Sequence, residues 1–132
     1  MTAHFTDISA GARFSELPGL LERVADRAAS LGISADVSLR LQLVTEELFT
    51  NTITHGHHGD SEHSVCLALG LSHDVLTLRY EDDAPAFDLS GIGQKPSSTA
   101  TIGGLGIGLI HGMSKAIRYR RQGPRNITEI DL

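Results

Sequence analysis

Glu47, Asn51 and His55 follow one another at intervals of four in LQLVTEELFTNTITHGH, a segment that otherwise reads as a continuous apolar helix. Residues i, i+4 and i+8 share one helical stripe, so a carboxylate, a carboxamide and an imidazole converge on one side. At about 100° per residue, Glu47 and Asn51 fall in the arc bounded by Leu43 on one side and by Val44 and Leu48 on the other, which turns them inward. An inward carboxylate beside an inward amide is costly without partners, and a hydrated Mg²⁺ with its phosphates would supply them. An ordinary buried glutamate bonded to the loop below is the structural alternative. Glu46 points nearly opposite and belongs to solvent or structure.

Two further segments carry chemistry. Glu81-Asp82-Asp83 ends an apolar stretch and is followed by Ala84-Pro85-Ala86-Phe87-Asp88. A carboxylate at a strand end can accept from an exocyclic amine while apolar neighbours hold a flat ring, as an adenine pocket requires. The plainer alternative is a solvated turn in which acidic residues and Pro terminate a strand. Gly103-Gly104-Leu105-Gly106-Ile107-Gly108-Leu109 lies where a flexible stretch meets a helix. Glycines there let backbone amides approach a phosphate, and the helix N-terminus adds a favourable dipole. The segment is neither a P-loop, lacking Gly-Lys-Ser/Thr, nor a dinucleotide fingerprint, so a ligand-free hinge is its alternative.

The elements that must position these residues read as follows. His4 to Ile8 suggests a first strand, and Ser15 to Leu31 a helix with Leu17, Leu20, Leu21, Val24 and Ala28 on one face, stopped by Gly32. Ser34 or Asp36 caps the second helix, which ends at Gly56. Strands Ser64 to Leu71 and Val75 to Tyr80 flank a Ser72-His73-Asp74 turn. Glu81 to Gly104 dissolves into acidic, Pro, Gly, Ser and Thr residues, a loop long enough to be a lid. A helix from near Leu105 to Ser114 and strands Ala116 to Arg121 and Asn126 to Leu132 close the chain, with Gly123-Pro124 between the strands. That order predicts an α+β fold with helices on one face of a mixed, mostly antiparallel sheet.

The 132 residues, 40% hydrophobic, suffice for one core and predict a single domain over 1–132. A net charge of -5 argues against a nucleic-acid partner. Arg118, Arg120, Arg121 and Arg125 are expected to line a strand or meet an acidic partner. Cys66, the single cysteine, fits a reducing compartment and a role in core packing. With no charged-then-apolar leader and no apolar run of bilayer length, the chain is expected to be cytoplasmic and to have no membrane partner.

Together, Glu47-x-x-x-Asn51, Asp82 with Pro85-x-Phe87-Asp88, and Gly103-Gly104-Leu105-Gly106-Ile107-Gly108 resemble the N, G1 and G2 boxes of the GHKL ATP-binding superfamily. EELFTNTITHGH is especially similar to the corresponding helix of the anti-sigma factor serine/threonine kinases, and the resemblance covers essentially the whole chain. It implies a Bergerat-type two-layer sandwich that binds Mg-ATP and phosphorylates an anti-anti-sigma (STAS-type) protein. A sigma factor or another output protein would be the competing partner, and the chain would be a homodimer. Glu47 would be the general base, Asn51 the Mg²⁺ ligand and Asp82 the acceptor for the adenine amine. Ala86 would also contact nucleotide, and Gly104, Leu105, Gly106, Ile107 and Gly108 would wrap the phosphates. Leu89 to Ile102 would be the lid, with Lys95 near the phosphates, and His55 would orient the helix end or the lid. Ala84 and Ala86 replace glycines usual in the G1 box, and Asn126 or Thr128 stands where the family has a threonine near adenine. A nucleotide-binding or partner-sequestering module without turnover is the second reading. A third, from the residues alone, groups His55, His57, His58 and His63 as imidazole ligands for a transition metal, without a paired Cys or an established spacing.

Overall fold

The computed structural model describes residues 6–91 and 102–132, with side chains from Asp7 to Gly91 and from Gly106 onward. Strand β1 (Thr6–Gly11) leads through a short 3₁₀ turn into α1 (Leu17–Ser30) and α2 (Ala35–Asn51), and α2 widens into a π turn over Thr52–Gly56. Strands β2 (Ser64–Ser72) and β3 (Val75–Asp82), helix α3 (Ile102–Met113) and strands β4 (Ala116–Gln122) and β5 (Arg125–Asp131) follow. The sheet order is β1-β2-β3-β5-β4. All of its described ladders are antiparallel, so the expected mixed character is not found among the described residues. Two of the four ladders, β2–β3 and β4–β5, are hairpins whose two-residue turns require opposite directions, and the other two join strands separated by helices.

The inner face of the sheet carries Val65, Leu67, Leu69, Leu76, Leu78, Tyr80 and Ile130, all buried. Against it lie Leu20, Val24 and Ala28 of α1, Leu41, Val44, Leu48 and Phe49 of α2, and Ile110 of α3. Each α1 residue in that set recurs at helical spacing, which is why the sequence pattern located the stripe. Gly32, at φ +74°, ends α1 in a left-handed conformation, and Ser34 caps α2 by accepting from the Val37 amide at 3.3 Å.

Several boundaries differ from expectation because pairing outlasts the local pattern. β1 runs to Gly11, since its ladder with β2 continues to the Gly11–Ser64 pair, and its expected start at His4 lies outside the described residues. β3 takes in Glu81 and Asp82, which pair with Ile127 and Asn126. Helix α3 starts at Ile102, so the glycine-rich stretch occupies its first two turns. Lid residues 92–101, Lys95 included, lie outside the described residues. Cys66 sits half-buried on the outer face of the sheet, because the alternation that points Val65 and Leu67 inward turns it out; burial raises its thiol pKa.

The outer face is a ladder of charge. Arg118 pairs with Glu129 and Asp131, Arg120 with Glu129, Arg125 with Glu81, and Arg79 with Asp7. Three of the four late arginines therefore serve the sheet. The Arg118 guanidinium reaches both oxygens of Asp131, at 2.9 and 2.8 Å, and Thr77 Oγ donates to it at 2.8 Å. Those bonds hold the Asp131 carboxyl below the usual range despite its partial burial. A carboxyl with a depressed folded pKa contributes stability above its unfolded pKa, and the contribution disappears as pH falls through the folded value. Asp131→Asn should therefore lower the urea midpoint at pH 7 and have progressively less effect below pH ~4, the ordinary aspartate range. An equal loss at pH 7 and pH 2.5 would contradict this assignment.

Candidate functional site

The site begins with a polar defect in an apolar stripe. On α2 and its continuation, Leu41, Val44, Leu48 and Thr52 follow one another at helical spacing, and all are buried. A threonine at the end of such a stripe must find partners, and those of Thr52 lie on the sheet. Its Oγ lies 2.8 Å from Asp82 Oδ2 and 2.6 Å from the Tyr80 hydroxyl. Each hydroxyl has one proton, so the consistent assignment is Tyr80 donating to Thr52 and Thr52 donating to Asp82. Burial raises the Tyr80 hydroxyl well above its usual pKa and keeps it a donor.

The other Asp82 oxygen is held from the opposite side. Asn126 Nδ2 donates to Oδ1 at 2.8 Å, and the Ala84 amide donates to the same oxygen at 3.3 Å. Asp82 is 8% exposed, and its carboxylate offers about four acceptor positions. Three are taken. The one left, on Oδ2, can accept a hydrogen bond from a ligand amine, which is the chemistry the sequence assigned to Asp82.

Asn126 and Thr128, between which the sequence left a choice, take different places. Asn126 lies opposite Asp82 in the β3–β5 ladder, whereas Thr128 is buried opposite Tyr80. The Asn126 Nδ2 also reaches the Ala84 and Pro85 carbonyls, both at 3.1 Å, and its Oδ1 accepts from the Phe87 amide, the Tyr119 hydroxyl and Arg121. One carboxamide thereby fixes the segment that follows Asp82. Arg121 adds a bond to the Ala84 carbonyl at 2.8 Å, so this arginine also braces the segment that follows Asp82.

The alanines that replace glycines occupy different surroundings. Ala84 is buried, and a Cβ built on Gly56 would lie 2.7 Å from its methyl group. Glycine at 56 is therefore what lets the end of the helix pass over Ala84. Ala86 is exposed.

Glu47 and Asn51 both lie half-buried on the last turns of α2. Among the described residues, neither side chain has a hydrogen-bond or ion-pair partner. A Cβ on Gly106 would meet the Glu47 carboxylate where it now stands, which places α3 directly against this acid. The glycine-rich helix and the acid-amide pair are thus neighbours. Ile107 is buried, and Gly108 is exposed. Because α3 begins at Ile102, the amides without intrahelical partners are those of its first turn, which includes Gly104 and Leu105.

The regular helix ends before His55. Thr45, Thr50, Thr52 and Thr54 each lie within hydrogen-bond distance of the carbonyl four residues back, and such bonds bend helices. From Thr52 the ladder widens, with the His57 amide donating to the Thr52 carbonyl at 3.0 Å. His55, within this wider turn, is exposed, whereas Glu47 and Asn51 are half-buried. Of the four histidines read as a cluster, His57 and His63 meet, with stacked ring centroids 4.2 Å apart, while His55 and His58 are exposed.

Thr52 was missed from sequence, although a hydroxyl closing the Leu41-Val44-Leu48 stripe was a usable signal. No helix among the described residues is long and apolar enough to cross a membrane. No curated protein matches the chain closely enough to be called a relative. The sequence profile described as "Histidine kinase-like ATPase domain" matches residues 11–131. That span contains the acid-amide helix, the buried aspartate and the glycine-rich helix, and this chain belongs to the histidine kinase-like ATPase domain family as an ATP-binding module of GHKL type.

Proposed function

We propose that this chain, acting as one domain over residues 1–132, is an anti-sigma regulatory factor with serine/threonine protein kinase activity. It binds Mg-ATP, phosphorylates a STAS-type anti-anti-sigma protein, and exchanges that partner for a sigma factor or another output protein. The observation that carries the reading is the Glu47–Asn51 pair, without partners among the described residues and half-buried, Glu47 lying against Gly106. Polar groups left open between two helices are costly unless a ligand completes them. The family resemblance supplies the rest, including the homodimer and the cytoplasmic location. Family membership itself carries ATP-using chemistry in general, and the protein substrate is the finer step.

The residues divide the work as follows. Asp82 uses its remaining acceptor position for the adenine amine, and Asn126 holds the Ala84–Phe87 segment at the edge of the ring. The first-turn amides of α3 face the phosphates, where the helix dipole favours negative charge. Asn51 supplies a carbonyl oxygen suited to Mg²⁺, a hard cation that prefers oxygen ligands. When bound, Mg²⁺ would neutralise charge on the phosphate oxygens. Glu47 takes the proton of the attacking hydroxyl as its oxygen bonds to the γ-phosphorus and the bond to ADP breaks, its electron pair leaving on the ADP oxygen.

Ala84 does not argue against this pocket, because Gly56 accommodates its methyl group. A module that binds nucleotide or sequesters a partner without turnover is distinguished by transfer itself. With labelled ATP and a STAS partner, Glu47→Ala should lose phosphoryl transfer by roughly 10²–10⁴-fold, the usual contribution of a general base. Its ATP affinity should stay within a few fold. Full transfer by Glu47→Ala would remove it from the chemistry, and binding without transfer by the parent chain would establish the module instead. Asn51→Ala should weaken binding with Mg²⁺ present and leave metal-free binding nearly unchanged. Asp82→Asn should lower the ATP over GTP preference, by about tenfold for one lost bond to a charged acceptor. An unchanged preference would exclude Asp82 from base recognition.

A further inference from the structure

One residue beyond Asp82, the protein gathers a second set of polar side chains that nucleotide chemistry does not use. His57 follows the π turn, His63 precedes β2 and Asp83 follows β3. The loop joining the two histidines is fixed by its own backbone. The Gly59 amide donates to the Ile53 carbonyl at 2.7 Å, the Ser61 amide to the Ala12 carbonyl at 3.1 Å, and Asp60 accepts from the Phe14 amide at 2.8 Å. His58 and Gly59 both take positive φ, at 59° and 134°, to make the bend.

Within this set two atoms have no hydrogen bond among the described residues and stand only at ion-pair distance from each other. The His57 side chain is only 8% exposed, and its Nε2 is buried without a hydrogen bond. The same holds for Asp83 Oδ1, which lies 3.4 Å away. Buried polar atoms are nearly always satisfied, and each exception costs about 1–3 kcal/mol. Two such atoms facing each other define a gap for a shared cation. Ligands ~2.0–2.1 Å from a tetrahedral zinc ion stand about 3.3 Å apart, close to the separation seen here.

The third ligand is already alongside. His63 Nδ1 lies 2.7 Å from Asp83 Oδ2, and one ligand atom from each of the three residues falls within 4.8 Å of the others. The imidazoles are stacked nearly parallel, at 8°, so both cannot aim in-plane lone pairs at one ion as they stand. The His63 side chain is 51% exposed against 8% for His57, so it has the room to turn, giving up its stack on His57 as it does. Two imidazole nitrogens and a carboxylate oxygen favour zinc and its neighbours over Mg²⁺ or Ca²⁺.

We propose that His57, His63 and Asp83 bind one divalent transition-metal ion of the zinc class, His63 turning to complete the site and a fourth position remaining open to solvent. The ion would pin the end of the α2 continuation to the exit of β3. Its ligand set differs from the sequence-level grouping, keeping two of the four histidines and adding a carboxylate distant in the chain. It does not depend on nucleotide binding.

The test uses the full chain purified without a histidine tag, stripped by chelation and titrated with ZnCl₂ in one arm and MgCl₂ in another. The expected result is one zinc per chain, no competition from millimolar Mg²⁺, and an absorption-edge spectrum containing two imidazoles. His63→Ala and Asp83→Asn, checked for native circular dichroism, should each weaken zinc by about tenfold or more, as losing a ligand does. His55→Ala and His58→Ala should bind like the parent. Substoichiometric zinc in the parent, or unchanged affinity in both His63→Ala and Asp83→Asn, would overturn the proposal.

Discussion

A carboxylate taken out of water must be met by donors, and Asp82 meets its donors from three directions at once. Thr52 approaches from the end of the second helix, Asn126 from the last strand and Ala84 from the chain beyond. Removing one partner of such a charge is far costlier than an average surface change. The arrangement therefore fixes how the helix end sits on the sheet, and with it where the half-buried acid and amide stand one turn earlier. Gly56 follows from the same constraint, needed because Ala84 lies beneath it, and Gly106 stands directly against the Glu47 carboxylate.

The second helix divides its polar residues between structure and chemistry. Its threonines turn their hydroxyls back on the helix or into the Asp82 network, and each is satisfied within the protein. Glu47 and Asn51 are not satisfied among the described residues. That contrast is the basis on which the proposed function assigns Glu47 and Asn51 to a ligand. The charged outer face of the sheet is self-paired in the same way, with Arg118, Arg120 and Arg125 each meeting a carboxylate of the sheet.

What was legible in the sequence was local. The apolar stripe of the first helix, the turn at Ser72 to Asp74 and the Gly123-Pro124 connection depend on neighbours a few residues apart, and they appear where the pattern placed them. The order of elements was equally readable. What was not legible is non-local. The extension of β3 through Asp82 depends on pairing with Asn126, 44 residues away. The π turn over Thr52–Gly56 ends the regular helix before His55, which a fixed 100° rotation cannot anticipate. Asp83 joins His57 and His63 only because three chain segments meet at one end of the sheet.

The central claim is that Asp82, held as it is, keeps one acceptor position for an adenine amine while Glu47 and Asn51 wait for the metal-bound phosphates. Calorimetric titration of the full chain with ATP and GTP, each with and without Mg²⁺, tests it most directly. ATP should bind about tenfold or more tightly than GTP, the value of one bond to a charged acceptor, and only with Mg²⁺ at full affinity. Equal affinities for the two nucleotides, or binding of ATP that ignores Mg²⁺, would contradict the account.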